Sequence, residues 1–216
     1  MATLVLADDH PLMRVGLRRL LESRGHAVIG EVGDGLEVVP LVRRTTPDVV
    51  LLDLGLPGLH GLEVLRMIKR AVPATKVLMV SAYDRTDYVV DALRSGASGY
   101  VLKGAEPDEL IAAVVTVARG GYYVSPPLDS TAGGAGEPGI QPDPYDTLSV
   151  RQRQVLHLLA EGLPNETVAE RLSFSPRTVE SHRALVMKKL GLRTQVDLVL
   201  YALRRGIATL DEAGHK

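Results

Sequence analysis

Residues 4–11 read Leu4-Val5-Leu6-Ala7-Asp8-Asp9-His10-Pro11. An apolar run ends abruptly in two adjacent carboxylates, which repel each other and are costly next to a core. The same ending recurs along the chain. "DVVLLD" delivers Asp53, "KVLMVS" delivers Ser81, and "GYVLK" delivers Lys103. The apolar runs are Thr3–Ala7, Ala27–Val32, Asp48–Leu52, Lys76–Val80 and Ser98–Leu102. Between and after them lie amphipathic segments, Pro11–Ser23, Gly35–Arg44, Gly61–Ala71, Thr86–Ser95 and Pro107–Arg119. Strands alternating with helices predict a doubly wound α/β domain around a parallel sheet. Strands this apolar fit a sheet covered on both faces.

In open parallel sheets, ligands bind beyond the carboxyl ends of the strands. Four of the five predicted strands therefore bring a polar group to one edge. A lone carboxylate after a strand is ordinarily a helix cap or solvated. Three carboxylates, a hydroxyl and a lysine together point to a site. Clustered carboxylates call for a cation, and hard oxygen ligands favour Mg2+. One carboxylate is also a potential nucleophile that would form an acyl phosphate. Asp53 is the best candidate, because its strand should be central and it stands alone at the tip. Asp8 and Asp9 are better placed as metal ligands. The Gly55 carbonyl is a plausible further ligand, since "DLGLPG" turns sharply at Pro57-Gly58. Lys103 would hold a phosphoryl oxygen as a point charge, and Ser81 would hydrogen-bond another.

Composition narrows the class. The chain has 216 residues, 45% hydrophobic and 24% charged, which reads as globular. It has no cysteine, which excludes disulfides, thiol catalysis and cysteine-ligated zinc or iron–sulfur sites. The start lacks the pattern of a secretion signal and no apolar run is long enough to span a bilayer, so a cytoplasmic protein with no membrane partner is expected. Residues 147–216 hold 11 Lys and Arg against 7 Asp and Glu. That basic balance permits a polyanionic partner.

Residues 120–147 are rich in Gly and Pro, lack Lys and Arg, and show no sustained periodicity. They read as a linker between a domain over 1–119 and another over 148–216. The second region predicts helices at Val150–Glu161, Glu166–Arg171, Pro176–Lys189 and Gln195–Arg205, and no strands. Ser149 with Gln152 forms a capping box, Asn165 is expected to cap the second helix, and Ser175-Pro176 opens the third. Gly162 and Gly206 are expected just past helix ends. Two short helices joined by "SFSP" suit a helix-turn-helix, whose second helix enters the major groove.

Along that helix, Val179, His182, Val186 and Leu190 recur at core spacing, so His182 is expected to be a structural histidine. The opposite side presents Arg177, Thr178, Glu180, Ser181, Arg183, Ala184, Lys188 and Lys189. Arg177, Lys188 and Lys189 suit phosphates, and Glu180, Ser181 and Ala184 suit base edges. In "QVDLVLYALRRG", Val196, Val199, Leu200 and Leu203 are expected to face the core. Leu198, Tyr201 and Ala202 lie elsewhere, and this excess apolar surface reads equally well as a dimer contact or as better core burial.

These motifs carry a resemblance. Residues 1–119 resemble a response-regulator receiver domain through Asp8-Asp9, Asp53 with "LGLPG", Ser81-Ala82 and Lys103. "DDHPLMRVGL" and "SGASGYVLKGA" point to the NarL/FixJ branch. Leu148-Ser149, "VLHLLAEGLPNETVAERL", "SPRTVESH" and "KKLGL" resemble its LuxR-type helix-turn-helix domain. The resemblance implies strand order 2-1-3-4-5 and phosphorylation of Asp53 by a histidine kinase. It implies Mg2+ held by Asp9, Asp53 and the Gly55 carbonyl, with Asp8 acting largely through water. It makes Tyr100 an aromatic switch residue that reorients as Ser81 moves onto the phosphoryl group. The expected protein is a phosphorylation-controlled transcription regulator, a homodimer when phosphorylated, and not an enzyme beyond slow autodephosphorylation.

Val150, Gln152, Pro164 and Glu166-Thr167 depart from the family pattern. Glu166 puts a negative charge where a phosphate-facing lysine often sits, so a shallow salt dependence of DNA binding is expected. Two rival readings remain. One is a receiver that controls DNA binding without phosphorylation. The other is an Mg2+-dependent phosphohydrolase, which often carries a second Asp where this chain has Gly55.

Overall fold

A computed structural model describes residues 1–84, 86–126, 128, 144–205 and 207–208. The chain divides into two compact units. The N-terminal unit alternates strand and helix: β1 (Thr3–Ala7), α1 (Pro11–Ser23), β2 (Ala27–Val32), α2 (Gly35–Thr45), β3 (Val49–Leu52), α3 (Gly61–Ala71), β4 (Lys76–Ser81), α4 (Thr86–Arg94), β5 (Gly99–Leu102) and α5 (Pro107–Ala118). A two-residue strand, β6 (Tyr123–Val124), follows α5. The sheet is parallel, in the order β2-β1-β3-β4-β5-β6. β1 and β3 therefore lie inside the sheet, and their tips carry Asp8, Asp9 and Asp53.

Alternation along the strands splits the core into two layers. Leu4, Leu6, Val49, Leu51, Leu78 and Val80 pack with Leu17 and Leu21 of α1 and with Leu110, Ala113, Val114 and Val117 of α5. The intervening Val5, Val50, Leu52, Val77 and Met79 are equally buried and face the other side. Burying strands on both faces is what makes them read as unbroken apolar runs.

The sequence predicts five strands, and the structure has a sixth among the described residues. Gly99 pairs with Tyr123 and Tyr100 with Val124. A Cβ on Gly99 would stand 2.5 Å from the Tyr123 carbonyl oxygen, so glycine is what permits β6 to approach. Two residues inside a Gly- and Pro-rich stretch carry no period to detect. The first residues of the expected linker thus belong to the N-terminal unit, and residues 129–143 of it lie outside the described residues.

The C-terminal unit opens with a short 3-10 turn, Pro144–Thr147. It continues with α6 (Val150–Ala160), α7 (Asn165–Leu172), α8 (Pro176–Leu190) and α9 (Gln195–Arg204). The Ser149–Gln152 capping box forms, with Ser149 N donating to Gln152 Oε1 at 2.9 Å. Ser175 caps α8, accepting from Thr178 N at 3.1 Å. Asn165 does not cap α7. Pro164 occupies the cap without a side-chain bond, and Asn165 is already helical. Gly162 follows α6 with φ 82°, the left-handed conformation that ends helices. Gly206, the expected stop of α9, and residues 209–216 lie outside the described residues.

The phase of α9 differs from the expectation. Leu198 and Ala202 are fully buried, and Tyr201 is half-buried. Val196 is 64% exposed and Leu200 43% exposed. The cause is local. A second capping box, Thr194 with Asp197, fixes the helix start. Gln195 then points inward, donating from Nε2 to the Leu159 carbonyl at 2.9 Å. Residues three and seven positions after Gln195 follow it into the core. In a helix apolar on all sides, a polar residue tied to a buried carbonyl sets the rotation. Leu198 and Ala202 are thereby spent on the domain's own core.

Candidate functional site

The strand tips converge as expected. Lys103 Nζ, just after β5, lies 2.8 Å from Asp8 Oδ2 and 2.7 Å from Asp53 Oδ2. Ligand atoms of Asp8, Asp9, His10 and Asp53 all lie within 4.8 Å of one another. Asp8 and Asp53 are buried, and Asp9 is half-buried. Three carboxylates against one ammonium leave an excess of negative charge in a sheltered pocket, which fits a divalent cation.

Backbone contacts hold these groups in place. Asp53 N donates to the Ala7 carbonyl at 2.9 Å, which continues the β1–β3 ladder to the site. Gly61 N donates to the Leu54 carbonyl at 2.9 Å, and a Cβ on Gly61 would lie 2.2 Å from the Asp53 carbonyl oxygen. Gly58 sits at φ 76°, so the turn read in "DLGLPG" is present. The Gly55 N–H favours the charged form of the Asp53 carboxylate, which sets this loop beside the site.

Burial pushes the Asp53 carboxyl above its ordinary value, opposed by the Lys103 ammonium beside it. Burial alone would lower Lys103, but Asp53 and Asp8 outweigh it and hold the amine above its ordinary value. The lysine stays charged, and the carboxyl facing it is a better base and nucleophile than a solvated one.

Ser81 ends β4, fully buried, and its hydroxyl accepts from Tyr83 N at 3.1 Å. Tyr100 is also fully buried, and its hydroxyl donates to the Tyr83 carbonyl at 2.7 Å. Burial raises its phenol, and the neighbouring Ser81 hydroxyl opposes that shift. Ser81 and Tyr100 are thus joined through the segment after β4.

Sequence reasoning assigned no role to His10 or Arg14. His10 Nδ1 lies 2.5 Å from Asp9 Oδ1 and 3.3 Å from Asp8 Oδ1. Arg14 Nη1 donates to the Asp8 carbonyl at 2.5 Å. An imidazole directly after two carboxylates was the available signal for the first. The second is one helical turn on from His10, whose carbonyl accepts from Arg14 N.

In the C-terminal unit, α7 and α8 form the helix-turn-helix. Val179 and Val186 are buried, Leu190 is half-buried, and His182 is half-buried with its ring stacked on Phe174 at 5.6 Å. Arg177, Glu180, Ser181, Ala184 and Lys188 are exposed, and Thr178 and Arg183 are half-buried. Thr178 Oγ1 is 2.8 Å from Ser175 Oγ, and Ser181 Oγ donates to the Arg177 carbonyl at 2.9 Å. Lys189 is exposed but engaged, donating to the Thr147 carbonyl at 2.6 Å and to Gln152 Oε1 at 2.9 Å.

An acidic pocket at a parallel sheet's edge, followed by a helix-turn-helix, defines a receiver joined to a DNA-binding domain. Residues 4–115 match the response regulator receiver domain, and residues 146–202 match the bacterial regulatory proteins of the luxR family. The chain is 37% identical over 210 residues to the oxygen regulatory protein NreC of Staphylococcus carnosus, covering 94% of this chain and 97% of that one. A LuxR-family two-component response regulator from Aurantimonas sp. SI85-9A1 is 39% identical, with a TM-score of 0.60 over 62% of this chain and 96% of its own. RcsB of Salmonella typhimurium is 25% identical, with a TM-score of 0.57 over 93% and 97% of the two chains, and a response regulator RcsB–DNA complex is 25% identical with a TM-score of 0.58 over 93% and 96%. The chain belongs to the two-component response regulators with a LuxR-type DNA-binding domain, and it is a regulator of transcription. Among the described residues, no helix is long and apolar enough to cross a membrane.

Proposed function

We propose that Asp53 accepts a phosphoryl group from a histidine kinase and that this controls binding of the C-terminal unit to promoter DNA. The observation that carries the reading is Lys103 bridging Asp8 and Asp53 at the edge of a pocket that also holds Asp9. An Asp53 carboxylate oxygen attacks phosphorus, the bond to the kinase's phosphohistidine breaks, and an acyl phosphate forms. Asp9, Asp53 and the Gly55 carbonyl would hold Mg2+, with Asp8 acting largely through water. When bound, the cation would offset phosphoryl charge. Lys103 turns from Asp8 and Asp53 to a phosphoryl oxygen, and Ser81 supplies a hydroxyl to another. Because Ser81 and Tyr100 share the segment at Tyr83, drawing Ser81 toward the phosphoryl group disturbs Tyr100 as well.

On the DNA side, Arg177 and Lys188 are the free cations of α8 that suit phosphates, with Lys189 available once it leaves Thr147 and Gln152. Thr178, Glu180, Ser181, Arg183 and Ala184 supply the base-facing surface. Two-fold related half-sites favour a homodimer. The spare apolar surface of α9 is Val196 and Leu200, since Leu198 and Ala202 are buried. The reading is tested by Mg2+-dependent phosphoryl incorporation from acetyl phosphate. Wild type takes up label, and Asp53→Asn and Asp9→Ala do not while keeping their fold. Labelling of Asp53→Asn at the wild-type level would refute the assignment.

A further inference from the structure

We propose that His10 is a nitrogen ligand of the receiver's cation site, and that it tilts the site from Mg2+ toward first-row transition ions such as Mn2+. The inference rests on the reading of the pocket as a cation site.

His10 is the N-cap of α1, yet its side chain caps nothing. Its ring turns instead to the carboxylates, with Nδ1 2.5 Å from Asp9 Oδ1 and 3.3 Å from Asp8 Oδ1. Ligands in adjacent positions around an octahedral ion with bonds of about 2.1 Å stand about 3 Å apart. The two observed separations bracket that edge. Asp9 Oδ1 is buried with no hydrogen-bond partner, so it has lone pairs to offer an ion. The imidazole and the carboxylates of Asp8, Asp9 and Asp53 converge on one point, the arrangement of a ligand set.

The backbone fixes the ring's position. Pro11 at the first helical position confines His10 to extended geometry, observed at φ −83° and ψ 108°. His10 N donates to Asp8 Oδ1 at 2.8 Å, and Arg14 N donates to the His10 carbonyl at 3.1 Å. Lys103 takes Asp8 Oδ2 and Asp53 Oδ2, which leaves Asp8 Oδ1 and Asp9 Oδ1 toward the imidazole. The side chain is 68% exposed, so it reaches the cation with little desolvation.

Mg2+ takes oxygen ligands and gains little from nitrogen, whereas transition ions gain from an imidazole. An all-oxygen pocket discriminates weakly between the two. A neutral imidazole in the set gives this chain a preference that its carboxylates alone do not.

The test uses full-length, untagged protein with Mn2+ as the probe. Pulsed EPR of bound Mn2+ should show nitrogen modulation from an imidazole in wild type and none in His10→Ala. Competition titration should find Mn2+ bound about tenfold more weakly by His10→Ala, with Mg2+ affinity unchanged within a factor of about two. His10→Gln, which keeps a polar side chain in place, should lose the same signal and guards against a loosened α1. Mn2+ bound by wild type without nitrogen modulation would overturn the proposal and leave the cation pocket standing. Equal weakening of both ions would do the same, making His10 a counter-charge. Failure of wild type to bind either ion would overturn the pocket reading together with the proposal.

Discussion

Asp53 is 5% exposed, faces another carboxylate, and has one ammonium in contact. Burial raises its carboxyl, so ionising it costs folding free energy. That cost is absent below the unfolded-state value and is fully present once pH rises above the folded value. Asp53→Asn should therefore be more stable than wild type at neutral pH. The gain should vanish as pH falls through the ordinary carboxylate range. Thermal melts of both proteins across pH check this, and an unchanged difference at acid pH would contradict it. At this scale Asp8, Asp9, Asp53, Ser81 and Lys103 are legible because all of them stand where an apolar run turns polar. His10 is not, because the direction of its ring depends on the extended geometry imposed by Pro11 and on a hydrogen bond to Asp8.

Elements divide by how their boundaries are specified. The alternating strands and helices of the N-terminal unit match their predicted bounds to within a residue or two, because apolar runs, Pro11 and Pro107 set them. β6 escapes because its pairing depends on the missing Cβ of Gly99, a tertiary fact. α9 is found, but its rotation is not. Its apolar residues surround the helix, and the polar Gln195 that sets the phase does so by reaching a carbonyl on α6. The corrected rotation makes a sharp prediction. Leu198→Ala should cost about 2–5 kcal/mol, as a core truncation does. Val196→Ala should stay within about 0.5 kcal/mol, as an exposed site does. Chemical denaturation of the two variants distinguishes them, and the reverse ranking would restore the sequence-based phase.

The whole molecule joins a charge-sensitive pocket to a helix-turn-helix. The first part of the connecting segment is strapped to the strand that precedes Lys103. Tyr123 and Val124 pair with β5, Ser125 N donates to the Tyr100 carbonyl at 3.0 Å, and Ser125 Oγ donates to Glu109. Under the proposed phosphorylation, a change at Tyr100 or Lys103 is expected to act on the chain as it leaves the N-terminal unit. The domain order is legible in the sequence because composition shifts sharply around residues 120–147. The strap is not, because it consists of backbone pairing to a distant strand. The most direct measurement is the affinity of full-length protein for genomic promoter fragments, with and without beryllofluoride as an acyl-phosphate mimic. It is made at fixed salt, in wild type and in Asp53→Asn. The account predicts that the mimic with Mg2+ changes wild-type affinity about tenfold and leaves Asp53→Asn unchanged. Equal binding by both proteins under both conditions would contradict it.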